Sequence, residues 1–133
     1  MANALYGLGR QKFLEGAIAW LSDDIKLSFV DGAVYSPSID VDEFIDDIAS
    51  TIEDSGNFVG KSSTLGVADA TDVTVATVTG NEFEYIVIWK DTGTPATSPL
   101  IALIDTATGI PCTPNGGDII VQWDAGANKI FKL

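Results

Sequence analysis

The sequence predicts a mainly β protein, an antiparallel β-sandwich or jelly roll of about eight strands with two short helices near its start. Three observations lead there. The segments Tyr85-Ile86-Val87-Ile88-Trp89, Leu100-Ile101-Ala102-Leu103-Ile104 and Ile119-Ile120-Val121-Gln122-Trp123 are short, apolar and bounded by turn-forming residues. Runs of that kind read as strands covered on both faces. Turn signals such as Gly80-Asn81 and Asn115-Gly116-Gly117-Asp118 recur through the second half of the chain. Helical periodicity, by contrast, is confined to the first 55 residues. With 133 residues the chain forms a single domain, 1–133, able to bury a core without metals or disulfides.

Taken in order, Asn3 is placed to cap a helix over 4–15, which Gly16 ends. Gly7 and Gly9 weaken that helix by about 1 kcal/mol each relative to alanine, so it needs a surface to pack on. That surface is either its own sheet or a partner, and residues 1–16 are a candidate interaction arm. A brief strand is expected over 17–20. In 24–30, Ile25, Leu27 and Phe29 alternate with Lys26 and Ser28, the pattern of a half-exposed strand. Seven acids fall between Asp40 and Asp54, with Phe44, Ile45, Ile48 and Ile52 at helical spacing, so a short acidic helix is expected near 41–49. An EF-hand loop begun at Asp40 would need Gly and Glu where Ile45 and Thr51 stand, so a solvated acidic face is the reading. Further strands are expected at 64–68, at 72–79 and at 129–133. The second of these joins 85–89 through Gly80-Asn81 as a hairpin. Residues Ile86, Ile88, Ile101, Leu103, Ile119 and Val121 are the expected core.

Composition narrows the function more than any motif does. Nineteen acids oppose seven bases, a net charge of −12, which repels nucleic acid and anionic lipid alike. No run approaches the roughly 18 apolar residues of a membrane span, and no leader pattern opens the chain, so synthesis in a cytoplasm is expected. There is no histidine, which removes Ser/His/Asp and Cys/His catalysis and imidazole metal sites. The lone Cys112 is too few for a zinc cluster and reads as a packed side chain. Carboxylate pairs such as Asp23-Asp24 are too common in so acidic a chain to point to glycosidase chemistry. An enzyme is not expected, nor a catalytic residue, metal or cofactor. Trp20, Trp89 and Trp123 either stack on sugars or anchor the core, and the second fits better where they end apolar runs.

Two stretches carry a resemblance. The first is Met1-Ala2-Asn3-Ala4-Leu5-Tyr6 with Gly9-Arg10, Phe13-Leu14-Glu15-Gly16, Ile18, Trp20 and Asp24-Ile25-Lys26. The second holds Lys90-Asp91-Thr92-Gly93, Ser98-Pro99-Leu100-Ile101, Ile104-Asp105, Gly109, Pro114-Asn115-Gly116-Gly117-Asp118, Trp123-Asp124 and Ile130-Phe131. Together they resemble a family of small virion proteins of tailed bacteriophages and cover over half of the chain; residues 40–69 match only loosely. Within it, the size and expected architecture are similar to the jelly-roll cement (decoration) proteins that clamp neighbouring capsomers. The resemblance implies a structural protein on the head exterior, with the major capsid protein and a second copy of itself as partners. It implies neither nucleic-acid nor membrane binding. The alternatives are a tail-associated carbohydrate- or receptor-binding module and a tail or connector subunit. The N-terminal segment supplies the capsid-contact candidates Leu5, Tyr6, Leu8, Arg10, Lys12 and Phe13, because it joins two bases to apolar side chains on a marginal helix.

Overall fold

In a computed structural model, which describes residues 3–133, the chain is built mainly of antiparallel strands, with one α-helix among the described residues. The strands are β1 (Ala4–Leu5), β2 (Ile25–Val30), β3 (Glu53–Asp54), β4 (Val67–Ala68) and β5 (Val73–Val75), then β6 (Tyr85–Lys90), β7 (Leu100–Ile104), β8 (Ile119–Val121) and β9 (Phe131–Lys132). The helix α1 spans Gly7–Leu14. Five strands form the principal sheet, in the order β1-β7-β6-β2-β3, while β4 pairs with β9 and β5 with β8 in two smaller ribbons.

The run at Tyr85 is the middle of the principal sheet. Its register sets Leu27 against Ile88 and Phe29 against Ile86 on one face, and Ser28 against Val87 on the other. Pairing with β7 continues both faces but slips between Ile88 and Trp89, so that Ile88 faces Ala102 while Trp89 faces Leu100. Ile101 is the extra residue of this bulge and joins the face-one core beside Ala102. Face one is closed by Phe58, Ala68, Val73, Val75 and Phe83, the last stacked on Phe29 with ring centroids 4.3 Å apart. Face two is closed by Tyr6, Tyr35, Ile45 and Ile48 over Val30, Val87, Trp89, Leu100 and Leu103. The polar atoms inside are paired: the buried Ser28 hydroxyl accepts from Trp89 Nε1 at 2.8 Å and donates to Asp54 at 2.6 Å.

Several expectations are corrected. The helix near 41–49 is a single 3-10 turn, Ile45–Asp47. The backbone there turns outward to its neighbour: Ile45 N–H donates to Ser98 O and Leu100 N–H to Glu43 O, each at 2.9 Å. Asp47 meanwhile accepts from the Glu43 and Phe44 amides. Such long-range pairing displaces the i→i−4 ladder, although Ile45 and Ile48 are buried as their spacing requires. The N-terminal helix begins three residues late, because Ala4–Leu5 pairs with β7. Asn3 does not cap it; its Oδ1 accepts from the Asp105 and Thr106 amides instead. Gly16, at φ +77°, does end it. Residues 17–20 form no strand. The 72–79 run shortens to Val73–Val75, Thr77 leaves the extended region at φ 54°, and the expected hairpin to 85–89 is absent. The partner of β5 is β8, more than 40 residues on, with Val73 facing Val121.

That pairing also alters the core. Ile86, Ile88, Ile101 and Leu103 are buried, but Ile119 and Val121 are only half-buried and Ile120 is 62% exposed. A strand in a two-stranded ribbon has one covered face, and an all-apolar run there leaves one side chain in water.

Candidate interaction surface

The six N-terminal candidates divide according to what the fold does with them. Leu5, in the edge strand β1, packs against the face-one core and also borders a cleft. Tyr6 is fully buried and offers a partner no surface. Its hydroxyl lies 2.8 Å from that of Tyr35, which donates to Asp42 at 2.6 Å. Burial raises both phenols above the ordinary value of 10.0; for Tyr35 the hydrogen bond to Asp42 adds to this. They remain neutral donors that fasten the 35–48 segment over face two.

Leu8 is half-buried. The next residue, Gly9, is where α1 meets β7: a Cβ there would stand 2.4 Å from the Leu100 carbonyl oxygen, so only glycine allows this approach. Lys12 is occupied within the chain, 2.7 Å from Glu43 and 5.1 Å from the centre of the Phe44 ring. Phe13 tilts against Phe131 at 6.0 Å. Arg10 is exposed and, among the described residues, makes no ion pair.

The remaining bases sort the same way. Lys26 pairs with Asp91 at 2.8 Å and Lys90 with Asp23 at 3.0 Å, while Lys61 donates to the Asp23 carbonyl. The Lys26 hydrogen bond, with the Gly93 amide, holds Asp91 below its ordinary 3.8. Asp23 is lowered too, because the Ala19 amide and Lys90 outweigh a burial effect in the opposite direction. Burial pulls the Lys61 amine down. Arg10, Lys129 and Lys132 are left without an ion-pair partner among the described residues.

Two hollows open on the surface, and Lys129 and Lys132 border the first. A cleft of about 550 Å³ runs along β1 and is bordered by Asn3, Leu5, Trp123, Asp124, Lys129 and Lys132. A second hollow, about 350 Å³, opens between the end of α1 and β9 and is lined chiefly by Phe13, Trp20, Leu21, Ala68, Phe131 and Leu133. No side chain lining the second carries a charge. Leu21 and Leu133 line it while more than half exposed, and Leu65, 90% exposed, precedes the lining residue Gly66 in the chain. Sequence reasoning passed over Leu65. Its one signal was a solitary leucine in the polar stretch Ser62-Ser63-Thr64-Leu65-Gly66.

The tryptophans mostly serve the core. Trp20 and Trp89 are buried; Trp123 is half-buried, packs on Phe58 and donates to the Thr71 carbonyl. Cys112 is half-buried against the core and bridges to Phe83 through the backbone. Among the described residues no cluster of three or more His, Cys, Asp or Glu side chains could hold a metal ion, and no helix is long and apolar enough to cross a membrane. No protein-family model matches the chain, and no curated protein matches it significantly.

Proposed function

We propose that this chain is a structural protein of a tailed-bacteriophage virion, a capsid cement protein that binds the head exterior and clamps neighbouring major capsid subunits. In this reading the two small ribbons act as the second layer of a β-sandwich of jelly-roll type, and the body is a rigid spacer whose work is contact area. The observation that carries it is how the charges are deployed. Four of the seven bases are tied to groups within the chain, while Lys129 and Lys132, without an ion-pair partner among the described residues, outnumber Asp124 on a cleft beside an edge strand. A cleft that joins apolar side chains, an unpaired strand edge and free bases suits an extended acidic and apolar segment of a neighbouring protein. The net charge of −12 favours the outside of a DNA-filled head, since packaged nucleic acid repels it.

The alternative, a carbohydrate- or receptor-binding tail module, requires an exposed aromatic platform. Trp20 and Trp89 are buried, Trp20 lining the 350 Å³ hollow with its indole N–H donated to the Ser62 carbonyl, and the half-buried Trp123 is committed to Phe58 and Thr71. A tail-tube or connector subunit would assemble into rings.

Deleting residues 2–13 would remove β1 and the buried Tyr6, so point changes are the better test. Purified shells lacking the protein are mixed with the wild-type chain or with a Lys129→Glu/Lys132→Glu variant, then pelleted. The wild type should co-sediment to saturation and the variant should not, with its thermal unfolding unchanged. Equal binding by both would remove the cleft from the account.

A further inference from the structure

The layer over face one has a gap beside β8. That strand pairs with β5 along one edge, and among the described residues no strand pairs with its other edge. Next to it lie the 550 Å³ cleft and a further hollow of about 490 Å³. The two adjoin, sharing Ile86, Ala107, Val121, Gln122 and Asp124, and the further one reaches down to Phe29 and Phe83 of the face-one core. No residue of β5 lines either, so both lie on the side of β8 away from its partner. A trough thus runs along β8 over the principal sheet, where another strand of the second layer would fit.

The edge itself is unguarded. Ile119, Ile120 and Val121 carry no charge, and Ile120 lines the 490 Å³ hollow while 62% exposed. The principal sheet, by contrast, ends in β3, whose Glu53 and Asp54 are exposed acids of the kind that discourage an added strand. We infer that the free edge of β8 takes an extended segment of another protein as a third strand of its ribbon, with alternate apolar side chains in the two hollows and an acidic end beside Lys129 and Lys132.

Each part of that occupant answers a feature of the trough. Main-chain groups on the open edge call for an extended backbone, and the floor of core side chains calls for apolar residues at every second position. Charge sets the end. Of the three bases without an ion-pair partner among the described residues, two border the trough, and its linings hold a single acid, Asp124. Screening confines the field to about 8–10 Å, so these lysines, rather than the net charge of −12, govern what approaches there. The inference deepens the shell-binding reading and rests on it only for which protein supplies the segment. Its test uses no shells: failed strand addition with intact shell binding removes the inference alone, and the reverse result removes the shell reading alone.

The probe is a synthetic peptide of about seven residues, alternating valine and threonine, with blocked ends and a pair of glutamates at one end. It is titrated to about 1 mM into the full chain and followed in the amide NMR spectrum. Shifts should centre on residues 119–123 and on Lys129 and Lys132, with a dissociation constant of order 10–300 µM. The same peptide with all its amides N-methylated, which cannot donate to an edge, should bind at least about tenfold more weakly. A peptide with lysines in place of the glutamates should weaken similarly, and the Lys129→Glu/Lys132→Glu variant should reverse that preference. No binding by the glutamate peptide, shifts away from β8, equal binding by the N-methylated form, or a preference unmoved by the charge reversal would each overturn the inference.

Discussion

Replacing Ile88 with alanine removes a fully buried side chain from the middle of β6, the central strand. Its neighbours across the strands are Leu27 and Ala102, both held by ladder hydrogen bonds, and a closing layer on face one covers all three. The site has little freedom to collapse, so the loss should lie in the middle of the range for such truncations, about 3–4 kcal/mol. With a urea slope of about 2 kcal/mol per M, that lowers the unfolding midpoint by about 1.5–2 M. Ile120 is the matched control: the same residue type, in another run that reads as core in the sequence, but 62% exposed. Ile120→Ala should cost less than about 0.5 kcal/mol. Urea titrations followed by tryptophan fluorescence give both values. If Ile88→Ala costs under about 1 kcal/mol, or if the two variants cost the same, the division between principal sheet and outer ribbon is wrong.

Three further changes test the packing and charge arguments. Gly9→Ala forces a Cβ to within 2.4 Å of the Leu100 carbonyl, a backbone atom that cannot swing aside, and should destabilise by about 1–3 kcal/mol in thermal or urea unfolding. Ser28→Ala leaves the buried Trp89 indole N–H without its acceptor and should cost about 1–3 kcal/mol, with a changed tryptophan emission spectrum. Asp91 has its folded-state pKa depressed below 3.8, so it stabilises the fold above that pH and the contribution disappears as pH falls through the lowered value. Asp91→Asn should therefore be less stable than the wild type at neutral pH and converge with it as pH falls below the lowered value, in melting curves taken across that range.

How far the fold was legible depended on whether its signals were local. Ile25, Leu27 and Phe29 alternate against Lys26 and Ser28, and the 85–89 and 100–104 runs are apolar throughout, so three neighbouring strands of the principal sheet could be read directly. What alternation lacks is a partner. Val73–Val75 has the pattern of a ribbon strand, but nothing near it in sequence says that Ile119–Val121 lies opposite rather than the nearer Tyr85 run. Likewise, Phe44, Ile45 and Ile48 keep a helical spacing that the backbone does not follow, because Ser98 and Leu100 compete for its hydrogen bonds. The site was less legible. Tyr6 reads as a contact residue in the sequence because it shares a glycine-weakened helix with Arg10 and Lys12, and only the Tyr35 hydroxyl and the closing of face two decide its burial. Leu65 stood apart in the sequence, but its exposure follows from a left-handed backbone that no local pattern announces.

The most direct test of the proposed role is to image heads by electron microscopy with and without this chain, adding it back to shells purified without it. The account predicts regular extra density on the outer surface, at positions where capsid subunits meet, together with shells that withstand higher temperature before they break. Shells that stay bare and unstabilised, or density confined to the tail or the connector, would contradict it.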